Sequence, residues 1–244
     1  MDLCNEDRGE LDMVFSFEHM GCDDLGLKWF KTRLSPKKLM NTLDKWQRQL
    51  HWNAWYFENH DQPRFVSRFP DGEKHRFACS TMMAGLLMTL RGTPYMHEGQ
   101  EIGMTNCRMA SINEYDDIST KNEYANALAD GCSEEEALEA CYRFSRDNAR
   151  TPMQWDASPN AGFTRGIPWL KVNPNYSYLN VAAQEQDENS VLNYYKKLIA
   201  LRKSEAFREI FTYGAFEPLF ETEEFLKENF EILKPLQNLK VTYI

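Results

Sequence analysis

Apolar positions in the first hundred residues alternate between short strand-like runs and helical spacing; beyond Met104 the rhythm stops. Leu11 to Phe17 (LDMVFSF) reads as a strand, and Glu18-His19-Met20-Gly21 turns out of it. Ser35-Pro36 opens a helix, because Ser is a good N-cap and Pro is preset for the first helical position. Leu39, Leu43, Trp46 and Leu50 then fall on one face. An aromatic run from Trp52 to Phe57 predicts a central strand. A second helix spans about Glu73 to Leu90, with Phe77, Met83, Ala84, Leu87 and Met88 as its core side. Gly92-Thr93-Pro94 ends it and leads into a third strand at Tyr95-Met96. Strand, helix, strand, helix, strand is the order of a parallel α/β sheet, with amphipathic helices covering it from outside.

Downstream, Ser119 to Ala129 and Ser133 to Phe144 predict two short helices separated by Gly131. The second carries a capping box, Ser133 with Glu136. Tyr142 to Trp169 is rich in Arg, Pro, Gly, Asn and Trp without periodicity, and a loop of that length is usually functional or disordered. Trp155, Phe163 and Trp169 argue against disorder. A last amphipathic helix, Asn189 to Lys203, places Leu192, Tyr195, Leu198 and Ile199 on one face.

Candidate chemistry concentrates where the central strand ends, in Asn59-His60-Asp61-Gln62-Pro63-Arg64. Parallel sheets present their reactive groups at the carboxyl ends of strands. Pro63 biases Gln62 to extended backbone and interrupts pairing. A strand terminus with solvated polar residues fits the same pattern.

With 244 residues, 42% hydrophobic and 13% aromatic, the chain can bury a sizeable core. Its net charge of −9 argues against a nucleic-acid partner, and neutral sugars or small polar metabolites remain open. Six scattered cysteines without C-x-x-C predict reduced thiols in a cytoplasmic protein, with no metal and no cofactor implied. The acidic, polar N-terminus is not a secretory signal, and Phe77 to Leu90 is too short to span a bilayer, so no membrane role is expected.

Three long motifs occur in order: NHDQPR at Asn59 to Arg64, GTPYMHEGQEIGMTN at Gly92 to Asn106, and SRDNARTPMQWD at Ser145 to Asp156, with FSFEHM at Phe15 to Met20 ahead of them. Together they resemble the α-glucosidase and oligo-1,6-glucosidase branch of the α-amylase superfamily of retaining glycoside hydrolases. The resemblance covers roughly residues 10 to 215. It implies a (β/α)8 (TIM) barrel followed by a small antiparallel β domain. Leu11 to Phe17 would be the sixth strand, Trp55 to Asn59 the seventh, Tyr95 to His97 the eighth, and Asn189 to Lys203 the closing helix. The expected fold is therefore a partial barrel over residues 1–205, the last three strand–helix units with a long loop after the last strand. A truncated start of the β domain follows over 206–244.

Retaining glycosidases need two carboxyl groups about 5 Å apart, a nucleophile and an acid/base. The resemblance puts those on the fourth and fifth strands, for which this sequence has no counterpart. Asp61 matches a third carboxylate that stabilises the transition state, and His60 a neighbouring histidine on the same sugar. Arg146 is favoured over Arg150 for reaching the substrate, and Arg64 is expected to position Asp61 or line the entrance. An ion pair is the competing role for all three arginines, and Gln62 is equally ambiguous. Glu98 and Glu101 read as loop hydrogen-bonding groups, and His97 as packing. Trp155 is a candidate for stacking on sugar, whereas Trp52 and Trp55 read as core.

Two functions follow. One is an α-glucosidase-type hydrolase of short α-glucoside oligosaccharides, inactive without a complementary N-terminal barrel fragment; trehalose-6-phosphate hydrolase and sucrose isomerase share the motifs. The other is a non-catalytic remnant that binds carbohydrate or a complementary protein fragment. FLKENFEILKPLQNLKVTYI, after about Glu221, lacks strand alternation and suggests a truncated or frame-shifted reading frame. An unclosed sheet predicts poor solubility of the isolated chain.

Overall fold

Helix α1 (Pro36–Gln49) forms where its cap and spacing require: the Ser35 hydroxyl accepts the Lys38 N–H at 3.2 Å, and Pro36 holds the first turn. Leu39, Leu43 and Leu50 are buried; Trp46 is half-buried, because its indole N–H reaches out to Glu18 at 2.8 Å. The computed structural model describes residues 2–4, 9–22, 24–27, 30–31, 35–68 and 72–218. Most of the C-terminal sequence read as a degenerate β domain lies outside the described residues.

Two compact units are built from interleaved segments: residues 1–55, 81–95 and 198–244 form one, and 56–80 and 96–197 the other. The first holds a short antiparallel pair, β1 (Asp24–Leu27) with β2 (Phe30–Lys31), and a parallel pair, β3 (Ala54–Trp55) with β4 (Thr93–Pro94). Phe15 bridges Ala54 in the same parallel sense. Three chain segments therefore lie side by side in the predicted order, but each pairs over fewer residues than its apolar run suggests. Pairing is carried by the Ala54 N–H on Val14 O (3.2 Å), Thr93 N–H on Asn53 O (2.7 Å) and Tyr95 N–H on Trp55 O (2.7 Å). Pro94 has no N–H to give. Gly92 is required here: its φ is +131°, and a Cβ would stand 2.4 Å from the Asn53 carbonyl oxygen. Arg202 donates to the carbonyls of Met88 (2.6 Å), Leu90 (2.9 Å) and Gly92 (2.5 Å), filling acceptors that a helix end leaves open.

Between these strands come α2 (Phe65–Arg68) and α3 (Arg76–Thr89), the latter with Met83, Ala84, Leu87 and Met88 buried and Phe77 half-buried. In the second unit, Asp117 caps α4 (Ile118–Ala129) through the Thr120 N–H at 3.0 Å. Gly131, at φ +92°, ends it, and Ser133 and Glu136 form the predicted capping box of α5 (Glu134–Phe144). Then come α6 (Val181–Glu185), α7 (Val191–Lys203) and α8 (Glu205–Tyr213), the last occupying the start of the segment expected to open the β domain.

Ile102, Met104, Met153 and Leu179 form an apolar cluster of the second unit. The aperiodic stretch around it is ordered by buried carboxamides. Gln154 donates to Leu179 O (2.5 Å), Gln184 to Ile102 O (2.7 Å), Asn173 to Asn106 O (2.9 Å) and Asn148 to Tyr142 O (2.9 Å). Backbone groups that no ladder pairs are thus satisfied by side chains.

Candidate active site

Asn59 begins the site by bending the chain on itself: its side-chain oxygen accepts the Asp61 N–H at 2.8 Å, and its carbonyl accepts the Gln62 N–H at 3.2 Å. The Asp61 carboxylate is held out by this turn and is 44% exposed. One of its oxygens receives Arg150 Nη2 at 3.0 Å and Arg146 Nη1 at 3.4 Å, and the other lies 3.3 Å from His60 Nε2. Arg150 also donates Nε to the His60 carbonyl at 3.0 Å, so one guanidinium grips both the backbone and the side chain of the turn. Two motifs more than eighty residues apart meet here, all within the second unit.

Asp117, which the sequence reading did not single out, aims Arg146. Its buried carboxylate receives Arg146 Nε at 3.0 Å and Nη2 at 2.5 Å, and its second oxygen receives the Thr120 N–H and hydroxyl. Burial pushes the Asp117 carboxyl up, but the Arg146 and Thr120 hydrogen bonds outweigh it and hold it below the usual carboxylate range. The Asp117 bond in turn raises Arg146 above its ordinary value. Asp147, fully buried, accepts the backbone N–H groups of Asp116 and Asp117 at 2.7 and 2.9 Å and stands 3.6 Å from Arg150. Asp117 was detectable as an N-cap, three residues before Thr120; nothing local announces its long-range partner.

Arg64 and Gln62 are placed differently. Arg64 is fully buried beneath the turn, paired with Glu58 at 3.2 Å and donating to the carbonyls of Glu98 (2.6 Å), Asn148 (3.2 Å) and Ala149 (3.4 Å). It touches the segments that carry the cluster rather than the exposed carboxylate. Gln62 is half-buried and accepts from Arg68 at 3.4 Å. His97 donates its Nε2–H to the Ala149 carbonyl at 2.8 Å, and Glu101 takes the Gly99 N–H at 2.8 Å. Burial pushes the Glu101 carboxyl up despite that bond. Trp55 is buried, and Trp155 is half exposed.

Among the described residues no group of three His, Cys, Asp or Glu side chains is arranged to hold a metal ion. No described helix is long and apolar enough to cross a membrane. All six cysteines are thiols rather than disulfides.

The family model for the alpha amylase catalytic domain matches residues 2–214. An oligo-1,6-glucosidase of Parageobacillus thermoglucosidasius is 49% identical over 224 residues, 90% of this chain and 39% of that protein. A trehalose-6-phosphate hydrolase of Bacillus subtilis (strain 168) is 41% identical over 218 residues, 87% of this chain and 38% of that protein. The crystal structure of Bacillus licheniformis trehalose-6-phosphate hydrolase superposes with a TM-score of 0.84 at 40% identity, over 89% of this chain and 40% of that one. The chain thus spans about two fifths of the length of the relatives it matches. These matches, with the parallel pairing and the flanking helices, make the fold α/β and make this chain a member of the alpha-amylase catalytic-domain family.

Proposed function

We propose that this chain carries one wall of an α-glucoside-binding site in a retaining glycoside hydrolase of short oligosaccharides. In this reading the segments at Phe15, β3 and β4 are the last three strands of a (β/α)8 barrel, and the loop after the last of them runs to α6. Asp61 accepts sugar hydroxyls and stabilises positive charge developing on the ring. His60 and Arg146 bind the same ring, Arg150 holds the turn, and Gln62 and Arg64 position it. The nucleophile and the acid/base are supplied from outside this chain, because retaining chemistry needs two further carboxyl groups about 5 Å apart.

One observation carries the reading: Arg146 and Arg150 converge on a carboxylate that remains 44% exposed. An exposed ion pair adds little to stability, so two arginines aimed at one solvent-facing carboxylate have more to offer a ligand than the fold. Here the fixed donors leave lone pairs of Asp61 open to a ligand.

The test is hydrolysis of p-nitrophenyl α-glucoside by the chain alone and with the N-terminal part of a related glucosidase added. Activity is expected only in the mixture, and D61N is expected to abolish it. Hydrolysis by the chain alone, or an active D61N mixture, would overturn the assignment. Sugar binding without hydrolysis in any mixture would leave a carbohydrate-binding chain with no catalytic part. Trehalose 6-phosphate assayed beside isomaltose in the same mixture separates the two substrate classes named among the relatives.

A further inference from the structure

We propose that the indole of Trp169 is a stacking platform for a second glucosyl ring, held beside the Asp61 cluster. The inference rests on the reading of Asp61 as a glucoside-binding carboxylate, and it adds the place where the next sugar unit sits.

Trp169 is 69% exposed, an unusual state for the side chain with the largest apolar surface. It is not loose. Its neighbour Leu170 is buried at 3% exposure, and Lys171 is tied to the Arg108 carbonyl and to Glu114, each at 3.2 Å. The indole N–H, the only polar atom of the side chain, donates to Asp116 Oδ2 at 3.0 Å. One edge of the ring is therefore fixed while most of its surface stays open to solvent. Ile167, two residues earlier, is 99% exposed and can make no such tie through its side chain.

The anchor is linked to the site through the backbone step from Asp116 to Asp117. The Asp116 N–H donates to Asp147 Oδ2 at 2.7 Å, and the Asp117 N–H donates to the same oxygen at 2.9 Å. Asp117 holds Arg146, and Arg146 reaches Asp61. Only Asp116, Asp117 and Arg146 separate the indole from the carboxylate. A pyranose presents C–H groups on its faces and hydroxyls at its rim. It is matched by a flat apolar ring with charged acceptors and donors at the edge, which Asp116 and Lys121 (4.0 Å from Asp116) supply.

The experiment uses the full chain with 15N-labelled tryptophan, titrated with glucose and with isomaltotriose and followed by NMR. The resonance lost in W169A assigns the Trp169 indole N–H. That resonance is expected to shift with isomaltotriose and not with glucose. W169A is expected to bind isomaltotriose about fivefold to tenfold more weakly and glucose unchanged. W169F, which keeps a ring but loses the tie to Asp116, is expected to fall between. Isomaltotriose binding unchanged in W169A, with glucose binding still sensitive to D61N, would overturn the platform and leave the Asp61 reading intact. No binding of either sugar to the wild type would overturn the platform on this chain, and binding indifferent to D61N would overturn both. Should W169A fail to fold, W169F assigns the resonance and the wild-type shift decides: movement with isomaltotriose supports the platform, and its absence overturns it.

Discussion

Replacing Arg64 with methionine tests the foundation on which the exposed carboxylate rests. Arg64 is fully buried and the Glu58 side chain is 3% exposed, so neither charge is screened by water. R64M keeps most of the side-chain length but removes every donor. It strands the Glu58 carboxylate, whose other oxygen still receives the Phe65 N–H at 2.8 Å, and takes a donor from the carbonyls of Glu98, Asn148 and Ala149. Deleting one member of a buried ion pair costs about 3–5 kcal/mol, and lost bonds to carbonyls add about 1 kcal/mol. We expect R64M to cost about 5 kcal/mol, a large share of the roughly 5–15 kcal/mol that holds a domain together. E58Q keeps an acceptor for Phe65 and should cost about 3 kcal/mol. The double variant buries no unpaired charge, so its loss should fall short of the sum by about 2 kcal/mol. Urea denaturation followed by tryptophan fluorescence and circular dichroism measures all three. A loss under about 1 kcal/mol for R64M, or losses that simply add, would refute the claim that this pair anchors the turn carrying Asp61.

Acid titration of stability should show two opposed carboxylates. Asp117 sits below its ordinary value of 3.8, so its contribution is present above that pH and lost as pH falls through the lowered value; D117N should remove that loss, read as a flatter urea midpoint at low pH. Glu101 sits above 4.5, so its protonated form favours folding at low pH and the advantage fades as pH rises through the raised value; E101Q should raise the urea midpoint at pH 7, and a lowered one would contradict the burial argument. G92A forces a Cβ against the Asn53 carbonyl at a positive φ and should cost about 2–3 kcal/mol, with faster hydrogen exchange at the Thr93 and Tyr95 amides. Cys132 is exposed, whereas burial pushes Cys79 and Cys141 up to about 12 and Cys107 to about 11, so one fast equivalent is expected with Ellman's reagent at pH 8.

Local chemistry was legible where local rules decide structure. Ser35-Pro36 marked the start of α1, and Ser133 with Glu136 marked α5, because caps act within one turn. Strand limits were less legible. Tyr56 and Phe57 extend the apolar run, yet β3 ends at Trp55; these side chains are apolar because they are buried, not because the ladder continues. The pair β1 and β2 escaped notice, since two to four residues hold too little alternation to read. In the site, the motif residues around Asp61 and Arg146 were identified from resemblance. The Glu58–Arg64 pair and the Asp117–Arg146 contact needed the three-dimensional structure, because partners six residues apart across a turn, or 29 apart in the chain, leave no spacing pattern.

The carboxamides that order the second unit also set how this protein ages. Slow hydrolysis of Asn106 or Asn148 while heat holds the unit open would turn a neutral donor into a carboxylate that must refold into a buried place. The new anion would face carbonyl oxygens instead of bonding to them. Prolonged heating should therefore end the chain's ability to refold through one-way chemical damage, with asparagine conversion tracking the loss of refolding yield.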